Sequence, residues 1–237
     1  MKKPALSIVL PCYNPPLNWA DRIVASVEYL NHALPDTQIT VCLVNDGSTR
    51  NVNIEDFGKL ADNMPFRFIS YTQNRGKGYA LRQGVAACED AEIIIFTDID
   101  FPYQEADIVS MYEAICTEKW NILVGRRAEN YYENVPKIRI FISKLLKFFI
   151  RFLLNIPIND TQCGLKGFDK IGKEIFLCTT IERYLFDLEF IYLAAKIKSI
   201  RLSSMEVELK PGIIFSRMNM NILLTEGWNF LKVWLKR

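Results

Sequence analysis

Two aspartates one residue apart, Asp98-Ile99-Asp100, follow the apolar run at 93–96. Read as the end of a buried strand, that spacing brings both carboxylates out on the same side of the chain. Two like charges that close are costly unless a cation sits beside them. A hard divalent ion, Mg²⁺ or Mn²⁺, held by one or two carboxylates together with substrate phosphates, meets that requirement. The bland alternative is a helix cap ahead of Pro102 or a plain surface turn, since Asp-x-Asp is a common pair.

Other residues extend the same chemistry. Asp46, in VNDGST, is suited to accept hydrogen bonds from a nucleobase imide or a ribose hydroxyl, with Gly47 permitting a sharp turn. An Asx-turn closing the strand would use the same residues. The segment Asn74-Arg75-Gly76-Lys77-Gly78 opens a helix, and its N–H groups, positive end and Lys77 suit a diphosphate. It lacks the Lys-Ser/Thr pair of a Walker A loop, and a glycine-rich loop that merely allows close packing is the competing reading. Arg126-Arg127 offers forked donors for a second phosphate.

Short apolar runs alternating with mixed segments must position these groups. Residues 6–11, 40–46, 66–71, 92–98 and 121–125 read as strands; helices are expected over 17–33, 54–61, after Gly76 and over 106–118. Continuous Val/Ile/Leu/Phe runs mark buried parallel strands, and the alternation predicts an α/β, Rossmann-like, mostly parallel sheet flanked by helices. Ligands of such sheets bind outside the carboxyl ends of the strands. Those ends carry Pro11-Cys12-Tyr13-Asn14, Asn45-Asp46, the Gly76-Lys77 loop, Asp98/Asp100 and Arg126-Arg127, five polar clusters expected along one edge.

Composition narrows the classes further. The chain has 237 residues, 50% hydrophobic and 24% charged, with a net charge of +2. That is too apolar for a disordered chain and gives no global case for nucleic-acid binding. A single histidine, His32, excludes multi-His metal sites, leaving metal work to carboxylates. Six scattered cysteines without CxxC spacing suggest a reduced, intracellular chain. The opening MKKPALSIVLP is too short in its apolar stretch for a signal peptide and reads as a first strand.

The ordered set SIVLPCYN, VNDGST, NRGKGYALRQG, FTDID and VGRR resembles glycosyltransferase family 2 with its GT-A nucleotide-sugar domain. Beyond the sheet, Asp160-Thr161-Gln162-Cys163-Gly164-Leu165-Lys166 and Glu182-Arg183-Tyr184-Leu185-Phe186-Asp187-Leu188-Glu189 resemble segments of dolichyl- and polyprenyl-phosphate β-glucosyltransferases. The likeness covers roughly residues 6–195, with Tyr184 where relatives usually carry Trp. It implies a metal-dependent, inverting hexosyl transfer, with UDP-glucose the donor suggested. Asn14 and Asp46 would lie at the nucleotide, beside Pro11, Tyr13, Gly76 and Lys77. Asp98 would lie near the ribose and Asp100 would ligate the metal, with Asp98 a further ligand candidate. Asp160, Gln162, Cys163 and Lys166 would belong to the acceptor motif.

The acceptor decides what remains. A polyprenyl phosphate is already an anionic nucleophile, which Arg126, Arg127 or Arg183 would position. A sugar hydroxyl needs a general base, for which Asp187 or Glu189 is the candidate, Asp187 being alternatively a helix cap. A relative decorating a surface polysaccharide, a non-catalytic nucleotide-sugar-binding module and a nucleotidyltransferase are the competing readings.

Residues 138–158, IRIFISKLLKFFIRFLLNIPI, are apolar enough to suggest a membrane span. Lys144, Lys147 and Arg151 would together cost about 8–10 kcal/mol at mid-membrane. Their spacing on one face with Lys137 instead predicts an amphipathic helix over 137–158 lying in the interface. Arg139 adds to its charge, and no acid occurs between Glu133 and Asp160, so anionic headgroups are the expected partner. Packing against the core or a homo-oligomer partner would use the same pattern. The segment 213–237, with Trp228, Trp234 and a basic end, is read the same way. The expectation is one domain over 1–237, peripherally attached to the cytoplasmic face of a membrane.

Overall fold

The apolar runs become the interior of one mixed sheet. The computed structural model describes residues 3–127, 158 and 160–211. In chain order these give β1 (Leu6–Cys12), α1 (Trp19–Ala33), β2 (Ile39–Asp46), α2 (Ile54–Asn63), β3 (Phe66–Tyr71), α3 (Lys77–Ala87), β4 (Ile93–Phe96) and α4 (Glu105–Glu118). Then follow β5 (Ile122–Arg127), β6 (Lys166–Asp169), α5 (Lys170–Leu177), α6 (Phe186–Ala195) and β7 (Leu202–Val207). The sheet order is β3-β2-β1-β4-β6-β5-β7. All neighbours pair in parallel except β6, which runs antiparallel to both β4 and β5.

Strand alternation feeds two cores. Leu6, Ile8 and Leu10 point into a cluster with Trp19, Ile23, Leu30 and Met111 from α1 and α4. Val9, Cys42, Val44, Ile94 and Phe96 point the other way, onto α3, α5 and α6. Burial on both faces is why these strands carry continuous rather than alternating apolar sequence. The first strand lies in the middle of the sheet and is buried, as a structural strand requires.

Three features depart from the expected series. β4 stops at Phe96, and Asp98-Ile99-Asp100 forms a turn closed by Phe101 N–H donating to the Asp98 carbonyl at 3.0 Å, with Phe101 at φ 45. The two carboxylates therefore share a turn, and strand alternation does not set their directions. β5 does not adjoin β4, because β6 inserts between them. Helix α1 begins at Trp19, since Asn18 adopts a left-handed conformation at φ 60 and breaks the regular backbone before it.

The expected amphipathic helix over 137–158 lies outside the described residues except for Ile158, which is buried in the second core. The segment 213–237 lies outside them too. Among the described residues, no helix is long and apolar enough to cross a membrane. All six cysteines are free thiols.

Candidate active site

The carboxyl ends of β1, β2 and β4 and the N-terminus of α3 surround a cavity of about 430 Å³. Pro11, Tyr13, Asp46, Gly76, Lys77, Asp98 and Arg183 line it, all named from the sequence, together with Cys12, Asn74 and Tyr184. Tyr13, Arg183 and Tyr184 are exposed at its mouth, and Asp46 is buried at its wall.

Asp46 is spent on local structure. Its carboxylate accepts the backbone N–H groups of Arg75 at 2.7 Å and Gly76 at 2.9 Å, and the Asn74 side-chain amide at 2.8 Å. Three donors on a buried carboxylate fix the loop entering α3 relative to the end of β2. Gly47 makes this possible: its φ is +70, and a Cβ there would stand 2.7 Å from the Asn74 nitrogen. The N–H groups of Arg75 and Gly76, two of the donors expected to hold a diphosphate, are therefore already occupied. Within this loop Lys77 is left as the charged group that reaches the cavity.

Lys77 Nζ contacts Asp98 Oδ1 at 2.5 Å. Burial alone would pull this ammonium down, but the Asp98 and Asp187 carboxylates outweigh it and raise its pKa above the ordinary value. Asp100, in the same turn, is pushed up by burial and by the Asp98 charge, against pulls from Arg22 and Lys77. Gly164 lies against the other oxygen of Asp98; a Cβ at Gly164 would approach Oδ2 to 2.8 Å. The loop carrying Gly164 is set by Tyr103, whose hydroxyl accepts the Gly164 N–H at 2.9 Å and contacts Cys163 Sγ at 3.3 Å.

Asp98 and Asp100 are the residues suited to a divalent ion. Both are hard oxygen donors in one turn: Asp98 lines the cavity, and Asp100, half-buried two residues on and within the field of the Asp98 charge, stands outside the lining. Among the described residues, no cluster of three or more His, Cys, Asp or Glu side chains forms a protein-only metal cage. Two carboxylates completed by water and substrate phosphate are the usual arrangement for Mg²⁺.

Behind the cavity lies a second, buried pair. Lys166, on β6, has no solvent exposure; its Nζ contacts Asp187 Oδ1 and the Cys163 carbonyl, each at 2.5 Å. Burial pushes the Asp187 carboxyl up, while Lys166 and Lys77 pull it down. Asp187 sits in the first turn of α6 behind Leu185 at the N-cap, so it is no cap. Glu189 is fully buried and accepts the N–H groups of Thr180 and Ile181, both at 2.8 Å, and the Thr180 hydroxyl at 2.9 Å. Both general-base candidates are thus built into the support of the 180–185 loop. That loop is docked on the first turn of α3 by Tyr79 N–H donating to the Glu182 carbonyl, and on the loop before α3 by the Arg75–Glu182 ion pair. It presents Arg183 and Tyr184 to the cavity.

The remaining predicted residues stand apart from the lining. Arg127 grips Asp160 through Nε at 2.8 Å and Nη2 at 2.7 Å, and Arg126 pairs with Glu206 at 3.0 Å. Neither arginine reaches the cavity wall, because β7 and the Asp160 loop lie alongside β5 and engage them. Asn14 Oδ1 accepts the N–H groups of Thr49 and Arg50, joining the β1 and β2 ends. Asp160 and Cys163 are buried structural groups; the Gln162 amide nitrogen is buried with no hydrogen-bond partner among the described residues.

Sequence reasoning missed the tethering roles of Asn74, Tyr103, Glu182 and Lys166. Asn74 had a readable signal, being the first amide side chain of a glycine-rich loop opposite Asp46. Tyr103 and Glu182 owe theirs to partners 61 and 107 positions away, and Lys166 to burial beside Asp187 that only the packed fold creates.

The family model described as glycosyl transferase family 2 matches residues 7–174, well over half of the chain. The dolichyl-phosphate beta-glucosyltransferase of Dictyostelium discoideum is 26% identical over 81% of this chain and 62% of its own length. The Mus musculus protein of the same name is 30% identical over 80% of this chain and 62% of its own length. The chain thus spans about three-fifths of the length of these relatives. Among solved structures, glucosyl-3-phosphoglycerate synthase from Mycobacterium tuberculosis, in complex with Mn²⁺, UDP-glucose and phosphoglyceric acid, superposes with a TM-score of 0.68 at 14% identity. It covers 98% of this chain and 79% of the neighbour. The mostly parallel sheet, flanked by helices, has the GT-A architecture. With that fold and the match over residues 7–174, the chain belongs to glycosyl transferase family 2.

Proposed function

We propose that this chain transfers a hexose, glucose first, from a nucleotide-diphospho-sugar to a polyprenyl phosphate, with inversion at the sugar carbon. The names of the relatives support the lipid-phosphate acceptor. The observation that carries it is the engagement of Asp187 with Lys166 and of Glu189 with the 180–181 backbone. A hydroxyl acceptor needs a base to take its proton; a phosphate acceptor is already anionic and needs none.

In this reading the cavity binds the donor, with Tyr13 and Asp46 at the nucleotide side and Lys77 facing the diphosphate. Asp98 and Asp100 would hold Mg²⁺ or Mn²⁺, which when bound neutralises charge growing on the leaving diphosphate. Arg183, exposed at the mouth, orients the acceptor phosphate, and Tyr184 flanks it. Arg126 and Arg127 support the wall through Glu206 and Asp160. We further propose attachment to the cytoplasmic face of an anionic membrane, through the basic, apolar stretch 137–158.

The test is transfer from labelled UDP-glucose and GDP-mannose, with and without polyprenyl phosphate, in Mg²⁺ or Mn²⁺. Label entering the butanol phase only with the lipid phosphate and UDP-glucose is expected. Label entering a water-soluble glycan instead would overturn the acceptor, and no release of nucleoside diphosphate in any mixture would overturn the transferase reading.

A further inference from the structure

Lys77 stands where the cavity, the Asp98 carboxylate and the buried Lys166–Asp187 pair converge. Its Nζ is 2.5 Å from Asp98 Oδ1, and both residues line the cavity. Asp187, held by Lys166 on its far side, adds to the negative field on Lys77. The second oxygen of Asp98 faces Gly164, where the missing side chain leaves it space. Asp98 is thus a carboxylate whose charge an internal ammonium already balances. A divalent cation approaching Asp98 and Asp100 meets that ammonium one contact away, and like charges at such separations repel strongly in a part-buried site. A diphosphate in the same cavity offers Lys77 a different anionic acceptor.

We propose that Lys77 makes divalent-cation and nucleoside-diphosphate binding mutually dependent. It is the counter-ion of Asp98 until a diphosphate draws it away, which releases Asp98 to the cation. Lys77 is then a positioning residue that couples the two ligands. This inference rests on the nucleotide-sugar reading above and deepens it. Coupling of this kind is reciprocal, so the cation raises nucleotide affinity by the same factor that the nucleotide raises cation affinity.

The test is Mn²⁺ binding to the full chain, read by the electron paramagnetic resonance of free Mn²⁺, with and without UDP and corrected for the Mn²⁺–UDP complex. UDP should tighten Mn²⁺ binding about tenfold or more, within the usual range of such couplings. Lys77→Met should bind Mn²⁺ about tenfold tighter than the parent without nucleotide, and should gain less from UDP than the parent does, keeping only the part that phosphate ligation of the ion supplies. Lys77→Arg, which keeps the charge, should behave as the parent, and thermal melts confirm that both variants fold. A purely structural role for Lys77 would weaken or leave unchanged the binding of Mn²⁺ alone. Lys77→Met binding Mn²⁺ no tighter than the parent, while the parent still binds UDP and Mn²⁺ together, overturns the coupling and leaves the donor reading standing. Failure of the parent to bind UDP or Mn²⁺ in any combination removes both.

Discussion

The Lys166 ammonium meets the Asp187 carboxylate at 2.5 Å with no solvent exposure of its own. The pair links β6 to the start of α6, and through the Cys163 carbonyl it reaches the loop that touches Asp98. Removing one partner strands the other in the interior. Lys166→Met should cost about 3–5 kcal/mol of stability, and Lys166→Met with Asp187→Leu should recover much of it. Urea unfolding of the three proteins gives the comparison. A single variant as stable as the parent would mean that the pair contributes nothing.

Asp46 is the anchor of the loop before α3, so its charge matters more than its volume. In Asp46→Asn one oxygen becomes an amide nitrogen, which cannot accept from the backbone. At least one of the Arg75 and Gly76 bonds is lost, at about 1.5–3 kcal/mol for a charge-assisted bond. Hydrogen exchange at whichever of the Arg75 and Gly76 amides loses its acceptor should accelerate correspondingly, and UDP affinity should fall as the loop loosens. Unchanged exchange at both amides would show that the loop is held by something else.

Gly164→Ala tests the contact with Asp98. The added Cβ would press on Oδ2 at 2.8 Å, and overpacking of this kind costs about 1–3 kcal/mol. The larger effect is expected in transfer activity, by about a hundredfold, because an ångström of misplacement at a reacting centre is that costly. Initial rates against donor and Mn²⁺ concentration measure it, with circular dichroism as the folding control. Full activity would separate Gly164 from the site.

Cys12 gives a pH signature. Burial pushes its thiol up to about 11, with Ser48 pulling it down and Asp46 pushing it up. The unfolded thiol loses its proton near pH 9 while the folded one keeps it. Stability from this residue is therefore complete below about pH 9 and is lost as the pH climbs towards 11. The loss is on the order of 2 kcal/mol, and Cys12→Ala should show a shallower alkaline decline in denaturant midpoints. Iodoacetamide should leave Cys12 unmodified at pH 8.

The sheet was legible wherever burial on both faces produced continuous apolar sequence, as in β1, β2 and the Ile93–Phe96 run. β6 was not: it has four residues, and one of them is Lys166, a charge that only Asp187 and the Cys163 carbonyl make tolerable in the interior. Its insertion between β4 and β5 depends on pairing with strands distant in the chain, which local patterning does not encode. α6 hides for a similar reason, since it is buried almost all round and carries Asp187 and Glu189 inside. Much of the cavity lining was readable because parallel strands bring their ends to one edge. The division of labour within it was not. Asp46, Asn14 and Arg127 carry the side-chain types of ligand-binding groups, and their partners include backbone amides and a carboxylate 29–36 positions away.

The Arg127–Asp160 clamp has a consequence for how this chain tolerates change. Arg127 ends β5 and Asp160 precedes β6, so the two-point grip ties together both feet of the excursion from 128 to 159. The sheet's register is fixed on its own side of that knot. A fault in the clamp is therefore felt first along β5: with the two ends no longer held together, the β5–β6 and β5–β7 pairings alone must keep that side of the sheet in place.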